Sequence, residues 1–120
     1  MSDRFLRACR RQEVDCTPVW FMRQAGRVLP EYRALRARYD FMTMCKTPDL
    51  ATQVSLLPVD RLGVDAAIIF ADIMLPLEGM GIQLTIEDGA GPIIQHPIRT
   101  MADVDALQIL PPQETVPYVL

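Results

Sequence analysis

The chain has 120 residues, of which 50% are hydrophobic, 22% charged and 7% aromatic, and its formal net charge is −3. That composition belongs to a globular protein and excludes a disordered or collagenous chain; the length leaves room for one core, argues against two domains, and is too short for a closed (β/α)8 barrel of about 250 residues. The longest apolar runs, such as residues 66–71, fall well short of the roughly 18 residues a membrane-spanning helix needs, and Met1-Ser2-Asp3-Arg4 opens no signal peptide, so the expected location is the cytoplasm.

Charge is spread unevenly. Residues 1–40 hold nine arginines against five acids, a local +4, whereas residues 41–120 hold three cations against ten acids. Lys46 is the sole lysine, and arginine is the side chain whose planar fork pairs two-pronged with carboxylates and phosphates. The indicated partner is a small polyanion. Nucleic acid is the competing reading, disfavoured by an acidic chain without a lysine-rich stripe. Cys9, Cys16 and Cys45 form an odd set without C-x-x-C spacing, so neither a disulfide framework nor a zinc knuckle is indicated and buried or idle thiols are expected.

In chain order, Ser2 can cap a short helix over residues 3–11 with Phe5, Leu6 and Cys9 on one face and Arg7, Arg10 and Arg11 toward water. The continuous apolar run 18–22 reads as a strand buried on both faces, ending at the polar Arg23-Gln24-Ala25-Gly26-Arg27. Pro30 suits the first position of a helix to about Arg38, with Glu31 near its positive end. A second helix starts at Thr47-Pro48-Asp49 and ends at Gly63, with Pro58 breaking or kinking it. Residues 65–70 repeat the pattern of buried strand followed by charge, the charge being Asp72. Ile82, Leu84 and Ile86 alternate before the stretch 87–92 and predict a half-exposed hairpin that turns on the glycines and returns through Ile93 and Ile94. Thr100 and Asp103 predict a capped short helix, and Glu114 to Leu120 the start of another whose apolar face has no continuation. No repeat or low-complexity tract interrupts what reads as one compact piece.

Two strands separated by a helical stretch imply parallel pairing, with ligands collecting at the strands' C-terminal ends, where both charged clusters lie. Arg23 and Arg27 could project into one pocket and grip carboxylates, with Gly26 permitting close backbone approach or an unusual φ; the competing reading pairs them with Glu31 or Asp40 on the surface. Asp72 either neutralises an arginine, caps the following helix, or awaits a cationic or N–H-donating ligand. His96 reads as a surface-loop residue and Met42, Met44, Met74 and Met80 as core filler. Gly79, Gly81, Gly89 and Gly91 make no nucleotide fingerprint.

The run Pro18-Val19-Trp20-Phe21-Met22-Arg23-Gln24-Ala25-Gly26-Arg27-Val28-Leu29-Pro30-Glu31-Tyr32-Arg33 resembles the signature of the uroporphyrinogen decarboxylases. The likeness continues through Lys46-Thr47-Pro48-Asp49-Leu50-Ala51, through residues 63–73 and through Gly89-Ala90-Gly91-Pro92, so it spans essentially the whole chain. Departures from the family pattern are Val28 where tyrosine is usual, Leu57 where glutamine is common, and Ala71 where serine is common; they bear on pocket shape and on hydrogen bonding around Asp72.

The resemblance implies an α/β fold, residues 1–120 being the N-terminal portion of a (β/α)8 TIM barrel that is incomplete at this length and cut at the C-terminus. It implies the cofactor-free, metal-free decarboxylation of the four acetate side chains of uroporphyrinogen III to coproporphyrinogen III in porphyrin and heme biosynthesis. It assigns substrate binding to Arg23, Gln24, Ala25, Gly26, Arg27 and Arg36, and makes Asp72 both the catalytic residue and the one that meets the pyrrole N–H groups. A homodimer is implied for the full-length family member, with neither nucleic acid nor membrane as a partner. The rival readings are a corrinoid-linked methyltransferase of the same superfamily and a non-catalytic tetrapyrrole-binding remnant. The 120 residues alone are expected to be inactive.

Overall fold

Short polar residues and prolines set most of the helix starts. The structure, a computed structural model, describes residues 3–87 and 91–119. Helix α1 covers Arg4–Cys9, α2 Pro30–Arg36, α3 Phe41–Lys46, α4 Pro48–Leu62 and α5 Leu75–Gly79; strands β1 (Leu84–Glu87) and β2 (Gly91–Ile94) follow, then α6 (Met101–Asp105), α7 (Pro112–Thr115) and a 3-10 turn over Pro117–Val119. The described chain is therefore of mixed helix and strand.

Helix α2 starts on Pro30, carries Glu31 in its first turn and Arg33 and Arg36 in its last, which complements the helix dipole at both ends. Helix α4 starts on Pro48 and ends where Gly63 turns left-handed at φ 64°. It runs through Pro58 without the expected break. Pro58 is fully buried, and its packing offsets the hydrogen bond that a proline denies the preceding turn. Helix α3 was not expected from apolar spacing; its signal is Asp40, whose carboxylate accepts from the Thr43 N–H at 2.9 Å. Helix α6 carries the expected capping box, Thr100 with Asp103.

Four expectations need correction. Residues 18–22 and 65–70 are extended but form no strands, and Val19, Phe21, Met22, Ile68 and Ile69 are exposed. A strand buried on both faces needs neighbours at both edges and cover on both sides; within these residues neither segment has them. Helix α1 is shorter than expected and buries none of its residues, leaving Phe5 and Leu6 in water; Ser2, its expected cap, lies outside the described residues. The helix expected from residue 114 is split, because Pro117 ends α7 and opens a 3-10 turn; Leu120 lies outside the described residues. Finally, the radius of gyration is 17.7 Å, against about 14 Å for a compact chain of this length, so the piece is open rather than compact.

The hairpin is as expected: β1 and β2 pair antiparallel with Leu84 opposite Ile94 and Glu87 opposite Gly91. Of the glycines on which it was expected to turn, Gly89 lies outside the described residues and Gly91 opens β2. The packed centre is small, built from Leu29, Tyr32, Met44 and Val54, with Leu35, Leu50, Leu57 and Phe70 against it. Phe70 meets Tyr32 and Phe41 edge-on, at 5.9 and 5.6 Å between ring centres. Of the methionines expected in the core, Met44 is fully buried and Met42, Met74 and Met80 are half-buried. Among the described residues no helix is long and apolar enough to cross a membrane.

Candidate functional site

The Arg-Gln-Ala-Gly-Arg segment forms a tight loop closed at both ends. Gln24 donates its backbone N–H to the Phe21 carbonyl at 3.0 Å, and its side-chain Oε1 accepts from the Phe21 N–H at 3.0 Å. Arg23, between them, sits at φ 60°, a left-handed conformation that costs a non-glycine residue about 1 kcal/mol or more. Gly26 is required by close approach: a Cβ there would stand 2.9 Å from the Arg23 carbonyl oxygen. Its φ is not positive, so the alternative reading of an unusual backbone angle does not apply. The far end of the loop is sewn to α2 by Arg33, whose Nη1 donates to the carbonyls of Arg27 at 2.8 Å and Val28 at 3.2 Å.

Arg23 and Arg27 are both exposed, and neither guanidinium has a hydrogen bond or an ion pair among the described residues. The carboxylates that could have claimed them are engaged elsewhere. Glu31 is bonded by Arg61 of α4, and its own backbone N–H, then Arg61, hold its carboxyl below the usual range. Asp40 is held low by the Thr43 hydroxyl and N–H in capping α3. Surface pairing of Arg23 and Arg27 with Glu31 or Asp40 is thereby overturned, because the acids face other helices.

Beside this loop lies an open cleft of about 220 Å³. Trp20, Arg23, Gln24 and Ala25 line one side, and Ser55 of α4 with residues 68–71 line the other. Ser55 was not anticipated. It is buried in the apolar face of α4, donates to the Ala51 carbonyl at 2.6 Å and accepts from the Phe70 N–H at 2.7 Å, which fixes the second wall to the helix. A serine within the stripe formed by Val54, Leu57 and Pro58 is the signal that could have found it.

Asp72 follows Ala71 at the end of that wall. Its Oδ1 accepts from the Met74 N–H at 2.8 Å and its carbonyl from the Leu75 N–H at 3.2 Å, so it caps the turn into α5. It pairs with no arginine, and Oδ2 has no hydrogen bond among the described residues. Cys45, on the buried face of α3, has its thiol pushed up to about 12, first by burial and then by the Asp72 charge, with Arg36 opposing. Arg36 is half-buried and donates to the Tyr39 carbonyl at 2.7 Å; it does not line the cleft, and neither do Arg27 and Asp72, the latter standing one residue beyond the lining residue Ala71. His96 is on an exposed bend, as expected. Among the described residues no three His, Cys, Asp or Glu side chains gather as a metal-holding group.

An open cleft with a free arginine on one wall, a second four residues on, and an aspartate at the end of the other wall is equipment for a small molecule bearing several negative charges. Over residues 1–120 the chain matches the family described as uroporphyrinogen decarboxylase (URO-D), and it belongs to that family. It is 63% identical over its whole length to the uroporphyrinogen decarboxylase of Chloroflexus aurantiacus, covering 34% of that protein. It is 57% identical to that of Carboxydothermus hydrogenoformans, with 34% covered, and 56% identical to that of Geobacter sulfurreducens, with 35% covered. The chain thus spans about a third of the length of the curated relatives it matches.

Proposed function

We propose that this chain supplies the N-terminal part of the barrel domain of a uroporphyrinogen decarboxylase, a carboxy-lyase that converts uroporphyrinogen III to coproporphyrinogen III without cofactor or metal. The observation that carries the reading is the pair of arginines, Arg23 and Arg27, left without carboxylate partners among the described residues, with Arg23 lining a cleft whose other wall ends at Ala71, one residue before Asp72. Guanidinium groups free of internal acids are available to the eight carboxylates of the substrate. Arg36 joins them in holding those carboxylates, and the Gln24-Ala25-Gly26 segment lies along the substrate between the two arginines.

Loss of carbon dioxide from an acetate arm needs somewhere for its electron pair to go. Protonation of a pyrrole ring carbon makes a ring cation; the pair from the breaking bond to the carboxylate flows into the ring as carbon dioxide leaves, the exocyclic carbon then takes a proton to become a methyl group, and the ring carbon gives up the proton it gained. Asp72, with Oδ2 unengaged, accepts from the pyrrole N–H groups and stabilises that cation. Such a fixed charge acts most strongly where opposite charge develops. The complete enzyme is a cytoplasmic homodimer in this reading.

The test joins this chain to the C-terminal two-thirds of the Chloroflexus aurantiacus relative and supplies uroporphyrinogen III without oxygen, the unaltered relative serving as control. Coproporphyrinogen III is the expected product, and the 120 residues by themselves give none, since their apolar segments stand exposed. Porphyrinogen bound and recovered unchanged would mark a non-catalytic tetrapyrrole binder. Methyl transfer from a methylated corrinoid, with no decarboxylation, would mark the methyltransferase instead.

A further inference from the structure

The two extended segments that flank the cleft are held together almost without a ladder. Among the described residues one main-chain hydrogen bond joins them, from the Asp65 N–H to the Val19 carbonyl at 3.0 Å. Asp65 returns the favour with its side chain, Oδ2 accepting from the Val19 N–H at 2.9 Å while Oδ1 accepts from Arg4 at 2.7 Å. That end is anchored, since a carboxylate only 4% exposed has both oxygens satisfied.

Past that bond no second main-chain bond joins the two segments, and a side chain bridges them instead. Gln24 Oε1 accepts from the Phe21 N–H, and Gln24 Nε2 donates to the Ala66 carbonyl at 2.9 Å. The side chain is buried and both its polar ends are spent on backbone. We infer that Gln24 is a positioning residue: its amide stands in for a ladder bond and sets the spacing between the arginine loop and the wall that ends in Asp72. The resemblance groups Gln24 with the substrate contacts, but an amide with donor and acceptor both consumed acts on substrate through the walls it joins. Its two ends can be tested separately. Gln24→Met removes both bonds at nearly constant length. Gln24→Glu keeps the acceptor for Phe21 and sets a carboxylate oxygen against the Ala66 carbonyl.

The effect on turnover rests on the decarboxylase reading, whereas the bond itself does not. In the joined full-length protein, residue-resolved amide exchange, melting temperature, kcat and KM are measured for both variants. Gln24→Met should speed Phe21 amide exchange about tenfold or more; Gln24→Glu should leave it slow. Both should lower kcat about tenfold or more with KM within about threefold, because the arginines still hold substrate while Asp72 is displaced. Unchanged Phe21 exchange in Gln24→Met overturns the inference. So does a raised KM at constant kcat, which marks a direct substrate contact, or a lowered melting temperature with kcat intact, which marks a structural tie alone. Should the parent protein lack decarboxylase activity, the functional reading falls and the exchange pattern still decides the bond.

Discussion

The region around α2, α3 and α4 and the extended segments on either side of the cleft contrast sharply. Met44 and Val54 are wholly buried at the helix junction, whereas Ile68 is 62% and Ile69 57% exposed. In sequence the extended segments are the more apolar of the two. The difference lies in how each kind of backbone finds partners: a helix satisfies its own N–H and C=O groups within a few residues, so three short helices can meet and close a centre. A strand of a parallel sheet depends on neighbours brought in from elsewhere in the chain. The segments 18–22 and 65–70 have one main-chain bond between them and rely on Asp65 and Gln24 for the rest.

That contrast can be broken by substitution. Met44→Ala removes a fully buried side chain and should cost about 2–5 kcal/mol in urea unfolding, whereas Ile68→Ala or Ile69→Ala should stay within about 0.5 kcal/mol. Equal losses in both regions would mean that the extended segments are packed in solution.

A smaller effect is set by pH. Asp15 is held low by Arg4, Asp40 by Thr43, and Asp103 by the N–H of Arg99 and by Thr100. Their folded values lie below the unfolded ones, so the stability they lend is present above about pH 4 and is lost as pH falls. Cys45 has the opposite sign: raised from 9.0 to about 12 by burial, it favours the fold below pH 9 and ceases to do so as pH rises toward 12. Melting temperature against pH should therefore fall on both sides of a plateau. Thiol labelling at pH 8 should reach Cys9 and Cys16 and spare Cys45.

The helices were largely legible because their signals are local: Pro30, Pro48, Gly63 and the Thr100–Asp103 box each act within one turn. Helix α3 was missed because Asp40 announces it without a long apolar period behind it. At the site, the arginine loop and Asp72 were legible as charges placed after apolar runs. What Gln24, Ser55 and Asp65 do was not, because their partners Ala66, Phe70 and Arg4 stand 42, 15 and 61 residues away. No spacing rule reaches that far. The two strands were over-read for the same reason, since burial on both faces is a property of neighbours rather than of the segment.

Asp72 is where chemistry and fold can be separated most cleanly. Asp72→Asn keeps an oxygen to accept from the Met74 N–H, so the cap on α5 survives, and removes only the negative charge. In the joined full-length protein, uroporphyrinogen III turnover by this variant should fall about a hundredfold or more in kcat, with KM within about threefold. Turnover at the parent rate would show that the Asp72 charge does not carry the reaction.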